Sequence, residues 1–167
     1  MNRVARCAWA LLVVAALLVV AALLSACSYG DALPVETQPP QTQIRSRIRI
    51  TAGEAQLEGY LYDNQTARAF EAMLPLTVPL WNPAEGFAKA FDLPGQIADE
   101  ARTNDYVLGG LAYWYEGPSV AIFHSDHLPE TIVRVVTIGR ITDDVSLFAT
   151  YEGEITIEVI QEEEAVL

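Results

Sequence analysis

Residues 44–161 read as a mainly β domain, a closed barrel or a sandwich. Three observations predict it. Apolar residues alternate with polar or charged ones over several short stretches. Glycines, prolines and aspartates separate these stretches at turn-like intervals, and only two short stretches carry helical spacing. Period-2 alternation marks a strand with one buried face. Seven or so such strands, spaced by turns, fit a β domain in which the sheet closes on itself or packs on a second sheet.

The first strand opens at Ile44, where Ile44, Ile48 and Ile50 alternate with Arg45, Arg47 and Arg49. Residues 56–62 form the second strand, reached through Gly53. Asp63 or Asn64 then caps a helix over residues 65–73, whose apolar stripe is Ala67, Phe70 and Leu74 with Ala69 and Met73. Pro75 stops that helix, and residues 76–81 are extended again. Residues 82–105 hold Pro83, Gly86, Pro94 and Gly95 and are the least regular part. Strands follow over 111–115, 119–124 and 132–140, the first two joined by the Gly117-Pro118 turn. Asp143 or Asp144 caps one helical turn through Phe148. The last strand, 154–160, alternates Ile155, Ile157 and Val159 with charged or polar residues. Glu154 and Glu158 share one face of it, opposite in sign to the arginine face of the first strand. The two strands are therefore expected to be neighbours that close the barrel through cross-strand ion pairs. Exposed pairs of this kind are worth at most about 1 kcal/mol each, so their role is register.

A different pattern precedes the domain. Arg3 and Arg6 are followed by an apolar run of 17 residues from Ala8 to Leu24, and then by Leu24-Ser25-Ala26-Cys27. A charged start, an apolar middle and small residues at the end make an export signal. The ending resembles a lipobox, which implies diacylglyceryl transfer to Cys27 and cleavage before it. Two other readings compete. The run reaches the lower end of the roughly 17–25 residues that span a bilayer, so an uncleaved anchor fits; ordinary cleavage after Ala26 fits as well. On the lipoprotein reading, residues 1–26 are removed and Cys27 carries the anchor. Residues 27–43, with Pro34, Pro39 and Pro40 among polar residues, act as an extended tether. The barrel occupies 44–161, followed by an acidic tail over 162–167. The protein would then be exported and held by lipid on the cell membrane or outer membrane, with its domain outside the cytoplasm.

Losing the signal removes two of the ten basic residues and none of the 22 acidic ones, leaving a formal charge of −14. A surface this acidic repels phosphate backbones, which excludes nucleic acid as a partner. The two cysteines are Cys7 and Cys27, so the domain has no disulfide and must be stable through its core alone. About 120 residues suffice for one such core.

Three stretches of the domain carry a resemblance. One is Leu57-Glu58-Gly59-Tyr60-Leu61-Tyr62-Asp63-Asn64-Gln65-Thr66-Ala67, ending in Met73-Leu74-Pro75-Leu76. Another is Gly109-Gly110-Leu111-Ala112-Tyr113-Trp114 followed by Ala121-Ile122-Phe123, and the third is Ile138-Gly139-Arg140-Ile141. In this order and spacing they resemble the bacterial cyclophilin-like domain, a small relative of the cyclophilin barrel. The resemblance implies a closed barrel of about eight strands with two short helices. Cyclophilins proper are prolyl isomerases that use an arginine on the strand after the first helix. Here that strand, Leu76-Thr77-Val78-Pro79-Leu80-Trp81, has no arginine, and Pro79 marks it as an edge or irregular strand. The family's Gly-Asp before Leu-Ala-Tyr-Trp is Gly109-Gly110 here, and its Tyr-Gly after the phenylalanine is His124-Ser125.

The expected function is therefore a non-catalytic module that binds a peptide or a small apolar ligand without a cofactor. The candidate groove residues are Trp81, Tyr113, Trp114, Phe123, His124 and Arg140, with Tyr115 as a further aromatic. Strand aromatics serve equally as plain core, and Arg140 as the partner of a carboxylate. The competing enzyme reading is an extracytoplasmic prolyl isomerase with a displaced arginine, for which Arg68, Arg102 or Arg140 would have to reach the groove. His124-Ser125-Asp126-His127 holds metal-ligand residue types, yet it lacks a fourth ligand and reads as a polar loop, so no metal is expected. Ser119 lies in Gly117-Pro118-Ser119-Val120-Ala121, which fails the nucleophile-elbow pattern at residue 121. Asn64-Gln65-Thr66 matches a glycosylation sequon, but helix capping accounts for it.

Overall fold

The computed structural model describes residues 43–83 and 86–161. The expected export signal, Cys27, the expected tether as far as residue 42 and the acidic tail lie outside the described residues. Among the described residues, no helix is long and apolar enough to cross a membrane.

Eight strands make one antiparallel sheet: β1 (Ile44–Ala52), β2 (Ala55–Tyr62), β3 (Leu76–Pro79), β4 (Ala88–Asp92), β5 (Gly110–Trp114), β6 (Ser119–Phe123), β7 (Val136–Ile141) and β8 (Glu154–Val159). Their order across the sheet is β3-β8-β1-β2-β7-β5-β6-β4. The sheet curls until its two edges almost meet. Just beyond β3, the Trp81 N–H donates to the Ala90 carbonyl of β4 at 2.8 Å, and the Ala90 N–H donates back at 2.9 Å. The barrel is nearly closed. One α-helix, α1 (Gln65–Glu71), and a 3-10 turn (Ser146–Ala149) complete it.

Local chemistry explains each turn of the chain. Gly53, at φ 61°, supplies the positive φ that the tight β1–β2 hairpin requires. The Asn64 carboxamide oxygen accepts the Ala67 N–H at 2.7 Å, which caps α1, and its amide donates to the Thr137 carbonyl of β7 at 2.9 Å. The helix is shorter than its apolar stripe predicts. From Met73 onward the N–H groups bond three residues back, to Phe70 and Glu71, so the last turn tightens. The Asp144 carboxylate takes the Ser146 N–H at 2.9 Å and opens the 3-10 turn.

Two apolar clusters lie on opposite faces of the sheet, as the pleat requires. Ile48, Ile50, Leu61, Leu111, Tyr113, Val120, Ile122 and Ile157 fill the barrel, joined by Phe70 from α1 and Phe148 from the 3-10 turn. Their strand neighbours Ala112 and Phe123 face the other way and join Phe87, Ala88 and Val135 in a smaller outer cluster.

Three expectations are corrected. The first and last strands do pair, with Arg49 opposite Glu158 and their charged groups 3.4 Å apart. They do not close the barrel, however. β8 lies between β1 and β3, Arg47 pairs with Glu58 of β2, and Glu154 opposes Pro79. Closure falls instead at the β3–β4 seam. Next, the irregular stretch hides a strand. Ala88–Asp92 pairs along its whole length with β6, although alanine, lysine and aspartate are weak strand formers. Finally, the strand read over 132–140 begins only at Val136. Residues 131–135 arch over the outer face instead, fastened by the Thr131 N–H to the Asn104 carbonyl (2.8 Å) and by the Thr103–Val135 bridge.

Candidate functional site

Small side chains on the outer face of β4 and β6 create a depression. Ala90 is in register with Ala121, so two alanines meet across β4 and β6 on the floor. Ala88 opposes Phe123 one step along, and Ser119 opposes Trp114 on the other side. Large residues rise around this floor: Trp81 from the seam, Phe87 ahead of β4, Trp114 and Phe123 from the strands, and Ile132 and Val133 from the arch. The result is a cleft of about 260 Å³. Among the described residues that line it, none is charged.

The walls are held by identifiable contacts. Phe87 stacks on Phe123 with ring centroids 5.6 Å apart, and Tyr106 packs on Phe123 at 4.6 Å. The Tyr106 hydroxyl donates to the Leu128 carbonyl at 2.9 Å and accepts the Leu128 N–H at 3.2 Å, which pins the loop ahead of the arch to the aromatic cluster. Trp81 is 38% exposed, and its indole N–H donates to the Asp92 carboxylate at 3.1 Å. Glycine at 117 makes room for the Trp114 ring, because a Cβ there would overlap it. Ile132, at 62% exposure, leaves the rim openly apolar.

Trp81, Trp114 and Phe123 thus meet at this cleft, and the other three candidates go elsewhere. Tyr113 points into the barrel, fully buried, with its hydroxyl accepting the Ile97 N–H at 3.1 Å. Tyr115 packs edge-on against it. His124 follows β6 and donates its backbone N–H to the Phe87 carbonyl at 3.0 Å. Burial, with a smaller push from the nearby Lys89 ammonium, holds its imidazole below the ordinary range. Arg140 sits on β7 opposite Tyr60, beside the Tyr60–Tyr62 pair. There the Tyr62 phenol is pushed up to about 12 by burial and by the Tyr60 hydroxyl.

The remaining arginines considered for catalysis are also engaged away from the cleft. Arg68 pairs with Asp63 at 2.8 Å, and Arg102 pairs with Asp99 at 2.6 Å while lying over the Tyr115 ring. In the 124–127 loop, Ser125 Oγ and His127 Nδ1 are 2.9 Å apart, and the His127 ring stands edge-on to Phe87. Among the described residues, no group of three or more histidine, cysteine or carboxylate side chains converges on a metal-sized space.

Phe87, the alanine floor and the arch residues were missed in the sequence. The alanines give no hydropathy contrast, so their alternation with Lys89 and Phe91 did not register as a strand. Only cross-strand register aligns them.

Residues 50–159 match the model of the cyclophilin-like family. The chain belongs to that family. A solved structure shares the fold: the solution structure of a hypothetical protein from Archaeoglobus fulgidus, at 23% identity and a TM-score of 0.56, covering 72% of this chain and 99% of that one. At this identity the likeness establishes the fold alone. No curated protein matches the chain at a significant level. The cyclophilin-like barrel described above therefore rests on the family match, and its cleft on the geometry of its own residues.

Proposed function

We propose that this cyclophilin-like barrel is a non-catalytic binding module that seats an apolar group, from a peptide or a small ligand, in the cleft on its outer face. The alanine floor is the observation that carries the reading. Short side chains at Ala88, Ala90, Ser119 and Ala121 leave space that larger residues would fill, and aromatic walls with, among the described residues, an uncharged lining suit an apolar guest.

The test fills the floor. Titration of the full chain with the apolar fluorophore anilinonaphthalene sulfonate should show binding that Ala121→Trp weakens by about tenfold or more, roughly 1.4 kcal/mol. Equal binding by both proteins, with equal melting temperatures, overturns the proposal. Prolyl-isomerase turnover abolished by Arg68→Ala, Arg102→Ala or Arg140→Ala would replace it with the foldase reading.

We propose further that the module works outside the cytoplasm, tethered through lipid on Cys27. Support comes from the charged, apolar and small-residue order of residues 3–27. Globomycin should cause the unprocessed precursor to accumulate, and Cys27→Ala should abolish incorporation of labelled palmitate. A product unlabelled in the parent chain and unaffected by the drug refutes the assignment.

A further inference from the structure

The cleft adjoins the weakest join in the sheet. Trp81 and Ala90 exchange both backbone hydrogen bonds, so the next bonded steps of an antiparallel ladder would fall two residues away on each side. Extending the register pairs residue 79 with Asp92 and residue 83 with Ala88. Both positions on the Trp81 side are proline, Pro79 and Pro83. Proline has no N–H to give, so neither step can form its bond from that side. Among the described residues, the Trp81–Ala90 pair supplies the backbone bonds of this seam, the indole N–H of Trp81 to the Asp92 carboxylate adds a side-chain bond, and Trp81 is a wall of the cleft.

A side-chain triangle spans the same seam. Lys89 is 1% exposed, and among the described residues it is the one buried side chain that carries a charge. Its ammonium donates to the Glu152 carboxylate at 2.9 Å and also to the Asn82 carboxamide oxygen. The Asn82 amide in turn donates to both Glu152 oxygens at 3.3 Å. β4, the residue after Trp81 and the loop before β8 are thereby tied at one point. Burying an ammonium is costly unless it is paired and hydrogen-bonded, and an aliphatic side chain would pack there without that cost.

We propose that Lys89 is a positioning residue for the cleft. Through Asn82 and Glu152 it adds a further tie to the Trp81 segment, which proline has left with two backbone bonds and the indole–Asp92 bond to β4, and so holds that wall in its binding position. The inference rests on the cleft being a binding site. Two measurements on the full chain separate its failure from failure of that reading. Hydrogen exchange, read by mass spectrometry with fragmentation, follows the Trp81 and Ala90 amides against those of Ile50 and Leu57 in the β1–β2 hairpin. In Lys89→Met and in Asn82→Ala, a change at an exposed position, exchange at Trp81 and Ala90 should quicken about tenfold while the hairpin amides keep their rates. Anilinonaphthalene sulfonate affinity should fall about tenfold in Lys89→Met. Ala121→Trp, by contrast, should lose the fluorophore and keep the seam protected.

Unchanged exchange at Trp81 and Ala90 in both latch variants overturns the proposal. So does quickening that the hairpin shares, because that is global destabilisation, and so does full fluorophore affinity in Lys89→Met. A parent chain that takes up no fluorophore removes the binding reading, and with it the function assigned to the latch, even where the seam loosens as expected.

Discussion

Glu152 and His124 both lie within reach of the Lys89 charge, and each is displaced in the direction that makes acid destabilising. Hydrogen bonds from Lys89 and then Asn82, with the ammonium's field, hold the Glu152 carboxyl below its usual range. The contribution of Glu152 is present above its unfolded pKa and is lost as pH falls through its lowered folded value. His124 is also lowered, chiefly by burial and next by Lys89, with His127 adding a smaller push. The unfolded chain therefore takes up the His124 proton first, so stability is whole above the ordinary pKa of 6.5 and declines below it. The melting temperature should fall between pH 7.5 and 5.5, and His124→Gln should flatten that slope while leaving the later loss in the carboxylate range. An unaltered slope in the variant would remove His124 from the account. At the cleft, Phe123→Ala should cost about 3–5 kcal/mol in urea denaturation, because Phe123 is 2% exposed and carries contacts to Phe87 and Tyr106.

Strands β2 and β7 meet over only three residue pairs, Gly59–Ile141, Tyr60–Arg140 and Leu61–Gly139. A Cβ at Gly59 would lie 2.6 Å from the Arg140 carbonyl oxygen and 3.0 Å from the Ile141 Cα, both backbone atoms that the ladder holds in place. Gly59→Ala should destabilise the barrel by roughly 1–3 kcal/mol, read from the midpoint of denaturant unfolding. A neutral result would show that the crossing can widen freely. Elements with strong alternation were legible in the sequence: β1, β2 and β8 lie within a residue or so of their expected bounds, and Asn64 caps α1 as its residue type predicts. Ala88–Asp92 and the 131–135 arch were not. The strand's outward residues are alanines because a cleft lies above them, so the contrast that marks a strand is missing. The arch carries Ile132, Val133 and Val135 because it covers an apolar sheet face while remaining outside the ladder.

Over the whole chain, 22 acidic residues stand against 10 basic ones, and many of the cations are already paired. The surplus negative charge favours solubility and sets the chain against anionic partners. Both cysteines fall outside the barrel, at positions 7 and 27. Reductant should therefore leave the barrel's melting temperature unchanged, and a shift of several degrees would mean that a disulfide reaches into the folded unit.

The sequence by itself determined the β class, the helix cap and the β1–β8 neighbourhood. These are short-range signals: period, turn residues, caps and complementary charge each reside within one stretch or one pair of strands. Where the barrel closes was decided by tertiary structure, as were the alignment of Ala90 with Ala121 in the cleft floor and the placing of Tyr113 inside but Trp114 outside. Each of these depends on register between strands distant in the chain. A slip of one residue reverses every face, and no single stretch of sequence records which register its partner strand will take.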